Sequence, residues 1–430
     1  MATIVNETGE HAQERQKHLY KRKHQEEERE QDSKSPPKKQ KLQDADDRPA
    51  IKDKKVPIKP FPVKPIHRFQ SRFPFFREPT EIGHFSLDEA RRVHCDARLL
   101  KVYTPPKDPR KTHFDLRKGY KEFIKRDDDD KERLNNLTTW MLRKRSVIST
   151  RRESQETSGA EEKTNEEGQN ERLKADFVMW RGHMTKFLCT PYENREGWAM
   201  AVTLFNGTYY ISEVETEENR RRRKEMSEKE NEMSYWGYKF EQYVTSDDGK
   251  MASVDTSKPV NSNEAFCSVI QTRLGSHSLI YSGEVDCRIN RPGAKPPANY
   301  VELKTSRIWY THNNERNFYR FKLIKWWAQS FLVGIPEVIC GFRDDDGVVH
   351  RLESFRTFDM PTSARGAWDG AVCFNFADQL LSYIKKIVRI DDPRVAYMLE
   401  RAPGSSEVTC VLHDDGKEQF LTEEFISSFR

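Results

Sequence analysis

Ser282-Gly283-Glu284-Val285-Asp286 and Tyr300-Val301-Glu302-Leu303-Lys304 flank a turn-rich segment, Arg291-Pro292-Gly293-Ala294-Lys295-Pro296-Pro297. Side chains alternate faces along a strand, so residues i and i+2 share one. Glu284 and Asp286 are expected on one face with Val285 behind them, and Glu302 and Lys304 repeat the pattern with Val301 and Leu303 behind. A fold-back near Ala294 sets Asp286 opposite Glu302, because each lies eight residues from it. Three carboxylates and one lysine then crowd one surface of an antiparallel pair. Like charges facing each other destabilise a sheet, and a divalent cation is the natural offset. Either piece alone says little, since half-buried strands often end in charged residues held by ion pairs. Their symmetry about one turn, and the aromatic segment Trp326-Trp327-Ala328-Gln329 that follows, favour the metal reading.

Gly237-Tyr238-Lys239-Phe240-Glu241 adds a fourth carboxylate. Magnesium and manganese prefer carboxylate, carbonyl and water oxygens, and Glu241, Glu284, Asp286 and Glu302 supply carboxylates. Two such ions a few ångströms apart align a water and stabilise charge on a phosphoryl group. Lys304, two residues after an acid on the same face, is placed to orient that water or neutralise a phosphate oxygen. The order E-x-D then E-x-K is the core pattern of PD-(D/E)xK nucleases, so these residues point to a metal-dependent phosphodiesterase.

Composition bounds the rest. Of 430 residues, 35 % are hydrophobic and 33 % charged, and mean hydropathy is −0.91, so part of the chain is expected outside any core. Residues 1–66 carry 16 Lys+Arg against 12 Asp+Glu, nearly all of the whole chain's net +5. They read as a disordered basic tail, and 67–430 as one catalytic domain whose fold begins near Phe69. A strongly basic body is excluded, so nucleic acid must meet a local basic groove. Lys34-Ser35-Pro36-Pro37-Lys38-Lys39-Gln40-Lys41 resembles a nuclear localisation signal, although such a cluster also suits a plain solvated tail. The seven cysteines are odd in number and scattered, and no C-x-x-C occurs. Neither a disulfide framework nor a zinc site follows, and a reducing compartment fits. No apolar run approaches the ~20 residues of a membrane span, and no signal-peptide h-region is present, so a soluble intracellular protein is expected.

Along the chain, Ser86-Leu87-Asp88-Glu89 has the form of a capping box and predicts a helix start. Leu134 to Ile148 has helical periodicity. Thr150 to Asn170, rich in Glu, Ser, Thr and Gly, reads as a mobile surface loop. Phe177 to Trp180, Ala199 to Phe205 and Thr208 to Val214 read as strands, the last two joined by the hairpin dipeptide Asn206-Gly207. Glu217 to Met233 predicts one long charged helix, and Phe266 to Arg273 another helix. Leu279 to Cys287 and Asn299 to Ser306 predict strands, Asn317 to Leu332 a helix. Glu337 to Arg343 and Val348 to Phe355 predict a hairpin around Asp344-Asp345-Asp346-Gly347, whose aspartates suit turn chemistry better than a metal. Ala371 to Ile390 predicts the last large helix, and Val408 to His413 a final strand.

Gly237-Tyr238-Lys239-Phe240-Glu241-Gln242-Tyr243 resembles the G-Y-K-F-E motif of the DXO family, the decapping exoribonucleases. Ser282 to Asp286 resembles its E-x-D motif, Tyr300 to Thr305 its E-L-K motif, Lys325-Trp326-Trp327-Ala328-Gln329-Ser330-Phe331 its following helix, and Trp180-Arg181-Gly182-His183 its arginine motif. The resemblance spans Phe69 to Phe429. It implies a mixed α/β (α+β) fold, with two sheets forming a central cleft flanked by helices around a PD-(D/E)xK-like core. It implies a Mg²⁺- or Mn²⁺-dependent hydrolase with two ions, which removes unmethylated, triphosphate or NAD caps from RNA 5′ ends and degrades RNA 5′-to-3′. Carried over residue by residue, Glu241, Glu284, Asp286, Glu302 and the Leu303 carbonyl match metal ligands. Lys304 and Gln329 match catalytic residues, and Arg181 matches a substrate-phosphate ligand. Arg307, Trp309, Tyr310, Tyr319, Arg320 and Lys322 are candidates for an aromatic, basic RNA channel, while His183 and His277 suit structural roles. The alternatives are a non-catalytic stabilising partner of a separate 5′-to-3′ exoribonuclease, and a DNA-directed nuclease of the same core.

Overall fold

Ala265 to Ile270 is an unbroken run of buried residues, and it decides the architecture. Phe266 and Ile270 pack into one hydrophobic cluster, while Cys267 and Val269 pack into a second on the opposite face. A strand covered on both sides loses the alternation that identifies strands in sequence, and it resembles a buried helix. The helix expected over Phe266 to Arg273 is therefore corrected to the strand Ala265–Leu274, an interior strand third from one edge of a ten-stranded sheet.

In the computed structural model, residues 58–151 and 171–429 are described. The large sheet runs, edge to edge, Phe61–Pro62, Glu407–His413, Ala396–Arg401, Trp198–Phe205, Thr208–Val214, Phe177–Trp180, His277–Glu284, Ala265–Leu274, Thr80–Leu87, Val93–His94. A seven-stranded sheet runs Thr245–Ser246, Lys101–Tyr103, Cys287–Arg288, Tyr300–Arg307, Glu337–Arg343, Val348–Arg356, Phe114–Asp115. The helices Arg181–Cys189, Leu323–Val333 and Gly370–Ile387 share the first cluster with one face of each sheet, including Val338, Cys340 and Phe342 of the second. The other face of the second sheet, through Val301, Leu303 and Ile339, packs on Tyr235, Trp236 and Phe240 of the helix Glu228–Val244. No helix among the described residues is long and apolar enough to cross a membrane.

Several expectations shift. Residues 61–63 are not tail: Phe61 pairs with Val408 in the sheet, and Val63 is buried. Ser86 lies at the end of a strand, where its hydroxyl donates to the Asp96 carbonyl, and the capping residue of the local turn is Asp88, which accepts from the Ala90 and Arg92 amides. The helix expected over Glu217 to Met233 divides into Glu217–Lys224 and Glu228–Val244, because Ser227 and Glu230 form a capping box that starts the second. The hairpin at Asn206-Gly207 stands, with φ of 48° and 71° at the two positions. Asp344 Oδ1 accepts from the Asp346 and Val348 amides, the turn chemistry expected of it. The expected 150–170 loop and the Lys34 to Lys41 cluster lie outside the described residues, except that Ser149–Arg151 pairs with Glu171–Leu173.

Candidate active site

The chain passes from one sheet to the other within Glu284-Val285-Asp286. Val285 still belongs to the large sheet, its amide donating to the Phe266 carbonyl at 2.9 Å. Asp286 already bonds to the small one, its Oδ2 accepting from the Leu303 amide at 2.6 Å. Cys287 and Arg288 then pair antiparallel with Val301 and Tyr300, a register that sets Asp286 opposite Glu302 as expected. The shared strand face expected for Glu284 and Asp286 is corrected: Glu284 ends a strand of one sheet, and Asp286 immediately precedes Cys287–Arg288 of the other. Both acids therefore face the crevice between sheets.

Glu302 is the buried centre of this crevice, with its side chain 1 % exposed. Lys304 Nζ donates to Glu302 Oε1 at 2.5 Å, and Arg181 Nη1 donates to Oε2 at 3.3 Å and to the Gln329 carbonyl at 3.4 Å. Arg181 opens the helix that follows Phe177–Trp180, the parallel neighbour of His277–Glu284. Its approach depends on Gly283, where a Cβ would stand 3.1 Å from the Arg181 Cβ. Glu241 arrives from below, on the helix wedged against Leu303 by Phe240.

The electrostatics follow from this packing. Burial pushes Glu241 well above the ordinary carboxylate range, and Asp286 and Glu284 push it further. Burial and Glu302 bring Asp286 up to about 7, against Lys304 and the Leu303 amide. Glu284 is open to solvent inside the crevice, yet the surrounding protein still raises it, opposed by Arg91 and Arg181. Glu302 goes the other way: burial raises it, but Lys304 and Arg181 more than reverse this and hold it low. Lys304 is held above its usual value because Glu302 and Asp286 outweigh its burial, so it is an ammonium at neutral pH.

Lys239 and Gln242, neighbours in the same motif, pin the loop that roofs the crevice. Lys239 Nζ donates to the Thr256 carbonyl and Gln242 Nε2 to the Lys258 carbonyl, each at 2.9 Å. A cavity of about 300 Å³ lies under that loop, bounded by Glu241, Glu284 and Asp286. Arg91, which biases Glu284, is held in a left-handed turn (φ 59°) by a bidentate pair with Glu132 and was invisible to sequence reasoning. His183 and His277 stay outside the site, as expected of structural residues. His183 is buried and neutral, held down to about 3 by burial and Lys186, and His277 bonds Ser382 in the core. Of the expected channel residues, Trp309 and Tyr319 pack with Phe318, and Arg307 pairs with Asp345 at 2.5 Å.

Among the described residues, no three His, Cys, Asp or Glu side chains stand in a ready-made coordination cage, since Glu302 is held by two cations and Asp286 by an amide. The donor set still fits a hard divalent ion. It consists of oxygens only, four carboxylates and the Leu303 carbonyl, and three of the four carboxylates are held above their ordinary range by burial and neighbouring acids, the condition a 2+ charge relieves.

The family described as RAI1-like PD-(D/E)XK nuclease matches residues 77–426. A decapping and exoribonuclease protein of Xenopus laevis is 44 % identical over 377 residues, which cover 85 % of this chain and 90 % of that protein. Rai1 of Scheffersomyces stipitis, solved in complex with (3'-NADP)+ and calcium ion, aligns with a TM-score of 0.69 at 26 % identity, covering 84 % of this chain and 98 % of that one. Rai1 of Candida albicans, solved with pU5-Mn2+, has the same fold at a TM-score of 0.72 and 24 % identity, covering 86 % and 98 %. With this match along nearly all of the described fold, the chain belongs to the RAI1-like PD-(D/E)XK nuclease family.

Proposed function

We infer that this protein is a divalent-metal-dependent hydrolase of RNA 5′ ends, which removes incomplete, triphosphate or NAD caps and then digests the exposed RNA 5′-to-3′. The observation that carries this reading is the sheet crossover at Val285, which gathers Glu284, Asp286, Glu302 and Lys304 in one crevice. In the reaction a water oxygen bonds to phosphorus, and the bond from phosphorus to the departing oxygen breaks. Glu241, Glu284, Asp286 and Glu302, with the Leu303 carbonyl, would hold Mg²⁺ or Mn²⁺, two ions in our reading. When bound, such ions supply Lewis-acid stabilisation of the phosphoryl charge and a more acidic water.

The chain's own residues do the rest. Lys304, fixed as an ammonium by Glu302, donates to a phosphoryl oxygen and takes no proton from water. Arg181, with Nη1 already donating to Glu302 and to the Gln329 carbonyl, presents its Nε and Nη2 N–H groups to a substrate phosphate, where a planar guanidinium binds two oxygens at once. Gln329 sits half-buried beside Arg181 and orients the group on the scissile phosphate.

The test uses 5′-labelled RNA bearing a triphosphate, an unmethylated cap or an NAD cap, with Mg²⁺ or Mn²⁺, beside Asp286→Ala. Release of the 5′ moiety by wild type alone is expected. No turnover on any end with either metal defeats the reading. The basic cluster from Lys34 to Lys41 supports a nuclear location. A reporter fused to residues 1–57 is expected in the nucleus, and one that stays cytoplasmic removes that assignment.

A further inference from the structure

Tyr238 is one helical turn before Glu241, and the residue is 40 % exposed. Its phenol end lies deeper: burial, then Glu284 and Glu241, push it up to about 12. Tyr238 lines two cavities, the carboxylate cavity of about 300 Å³ and a second of about 480 Å³.

Phe123 packs beside Tyr238, its centroid 5.8 Å from that of Tyr238 and 5.0 Å from buried Tyr235. The Phe123 segment is tied to the loop that lines the carboxylate cavity. Ile124 N donates to the Val260 carbonyl at 2.9 Å, Ser262 N to the Ile124 carbonyl at 3.0 Å, and Arg126 N to Ser262 Oγ at 2.9 Å. Both aromatic rings are thus set by backbone contacts, which keeps the ordering cost of a stacked ligand small.

The charge of the second cavity tells which part of a nucleotide it takes. Its cations are already engaged: Lys125 with Asp128 at 2.7 Å, Arg126 with Glu132 at 2.9 Å, Arg223 with Glu215 at 2.9 Å and Asp129 at 2.7 Å. Asp127 and Asp130 add further negative charge to the lining. Such a wall repels phosphodiester oxygens and accepts the amino and imino donors of a base. Its volume lies in the range of about 300–1,000 Å³ typical of small-molecule pockets, so it suits a single nucleoside rather than a strand.

We propose that Tyr238, packed beside Phe123, stacks the base of the 5′-terminal nucleotide in this second cavity while the phosphate on its 3′ side lies at the carboxylates. The assignment rests on the reading of the chain as an RNA 5′-end hydrolase. Tyr238 positions the substrate and takes no proton in the reaction.

The experiment is a two-by-two cycle. Wild type and Tyr238→Ala digest RNA with a 5′-monophosphate, intact or abasic at its first nucleotide, with Mn²⁺ present. One stacked base contributes enough that its loss costs about 10- to 100-fold in kcat/KM. Tyr238→Ala on intact RNA is expected to lose that factor, wild type on abasic RNA to lose the same factor, and the combination to lose no more. Tyr238→Phe is expected to restore most of the factor that Tyr238→Ala loses and to keep the dependence on the first base, because the ring and not the hydroxyl stacks. In the non-cleaving Asp286→Ala background, a 2-aminopurine at the first position is quenched on binding, and the quench disappears with Tyr238→Ala. Losses that multiply, or a first-nucleotide abasic site that costs nothing, overturn the stacking assignment while leaving the hydrolase intact. A wild type inert on every RNA end overturns the hydrolase reading, and the stacking assignment with it.

Discussion

Lys304 illustrates what a single residue contributes here. It is the one side chain that meets Glu302 at 2.5 Å from the same strand, so its ammonium is in place before substrate arrives. Removing a preorganised donor of this kind costs about 10²–10³ in kcat. Lys304→Gln is expected to show that loss in single-turnover hydrolysis of triphosphate RNA, with substrate affinity nearly unchanged. An unchanged rate would move Lys304 out of the chemistry. Gly283 makes the complementary point. An added methyl would press on Arg181 at 3.1 to 3.2 Å, at its Cβ, Cδ and Nε, and that Cβ is fixed at the start of a helix. Gly283→Ala is therefore expected to raise KM for phosphate-bearing ends while the melting temperature moves little, and a pure stability loss would contradict this. At this scale much was legible. The facing of Asp286 and Glu302 follows from counting to the turn at Ala294, and the structure keeps that register. Arg181 came only from the family resemblance, since nothing local to Trp180-Arg181-Gly182 announces that Glu302 lies across the crevice.

Between elements, the helix Glu228–Val244 sets how far Glu241 reaches into the site. Its closest constraint is Gly341, where a Cβ would stand 2.7 Å from the Phe240 ring. Gly341→Ala must lift the helix from the sheet, and overpacking of this kind costs about 1–3 kcal/mol. Both a lower melting temperature and a lower kcat are expected, because Phe240 and Glu241 are consecutive; loss of stability with full kcat would show that Glu241 is dispensable. The helix Arg181–Cys189 carries a pH dependence of its own. His183 is held down to about 3, by burial first and Lys186 second. An unfolded histidine takes up its proton near pH 6.5. Between about 6.5 and 3 the unfolded state binds a proton that the native state refuses, so stability falls as pH drops through that window. The slope from this group approaches about 1.4 kcal/mol per pH unit. Urea midpoints at pH 7.5 and 5.5 are expected to differ less in His183→Leu than in wild type, and equal differences would show that His183 is protonated in the native state. Burial on both faces did not by itself hide a strand: Trp198–Phe205, buried at every position, was legible because Asn206-Gly207 announces its hairpin, whereas the central run of Ala265–Leu274 carries no alternation and read as a helix.

For the whole molecule, the two sheets meet where the carboxylates meet. Glu284 ends a strand of the large sheet, Asp286 stands in the link just before Cys287–Arg288 of the small one, Glu302 lies within the small sheet, and Glu241 on the helix beneath it. Sequence alone could not show this, because Glu284-Val285-Asp286 reads as one continuous strand, and the change of sheet is made by hydrogen bonds to Phe266 on one side and Leu303 on the other. The arrangement joins catalysis to stability. Without a cation, burial raises Glu241, Glu284 and Asp286, Asp286 and Glu284 push Glu241 further, and Glu302 pushes Asp286 and Glu284, a repulsion that acts to part the sheets. A divalent ion held by ligands from both sheets binds the folded state and not the unfolded one, so it stabilises by about 2.7 kcal/mol at a hundredfold excess over its Kd. Thermal unfolding in EDTA and in Mn²⁺ is therefore expected to differ by several degrees for wild type. If Asp286 is a ligand, Asp286→Ala removes that ligand and one source of repulsion together. It is expected to melt higher than wild type in EDTA and to gain much less from Mn²⁺. If the variant gains as much from Mn²⁺ as wild type does, the ion sits elsewhere and the crevice is not the metal centre.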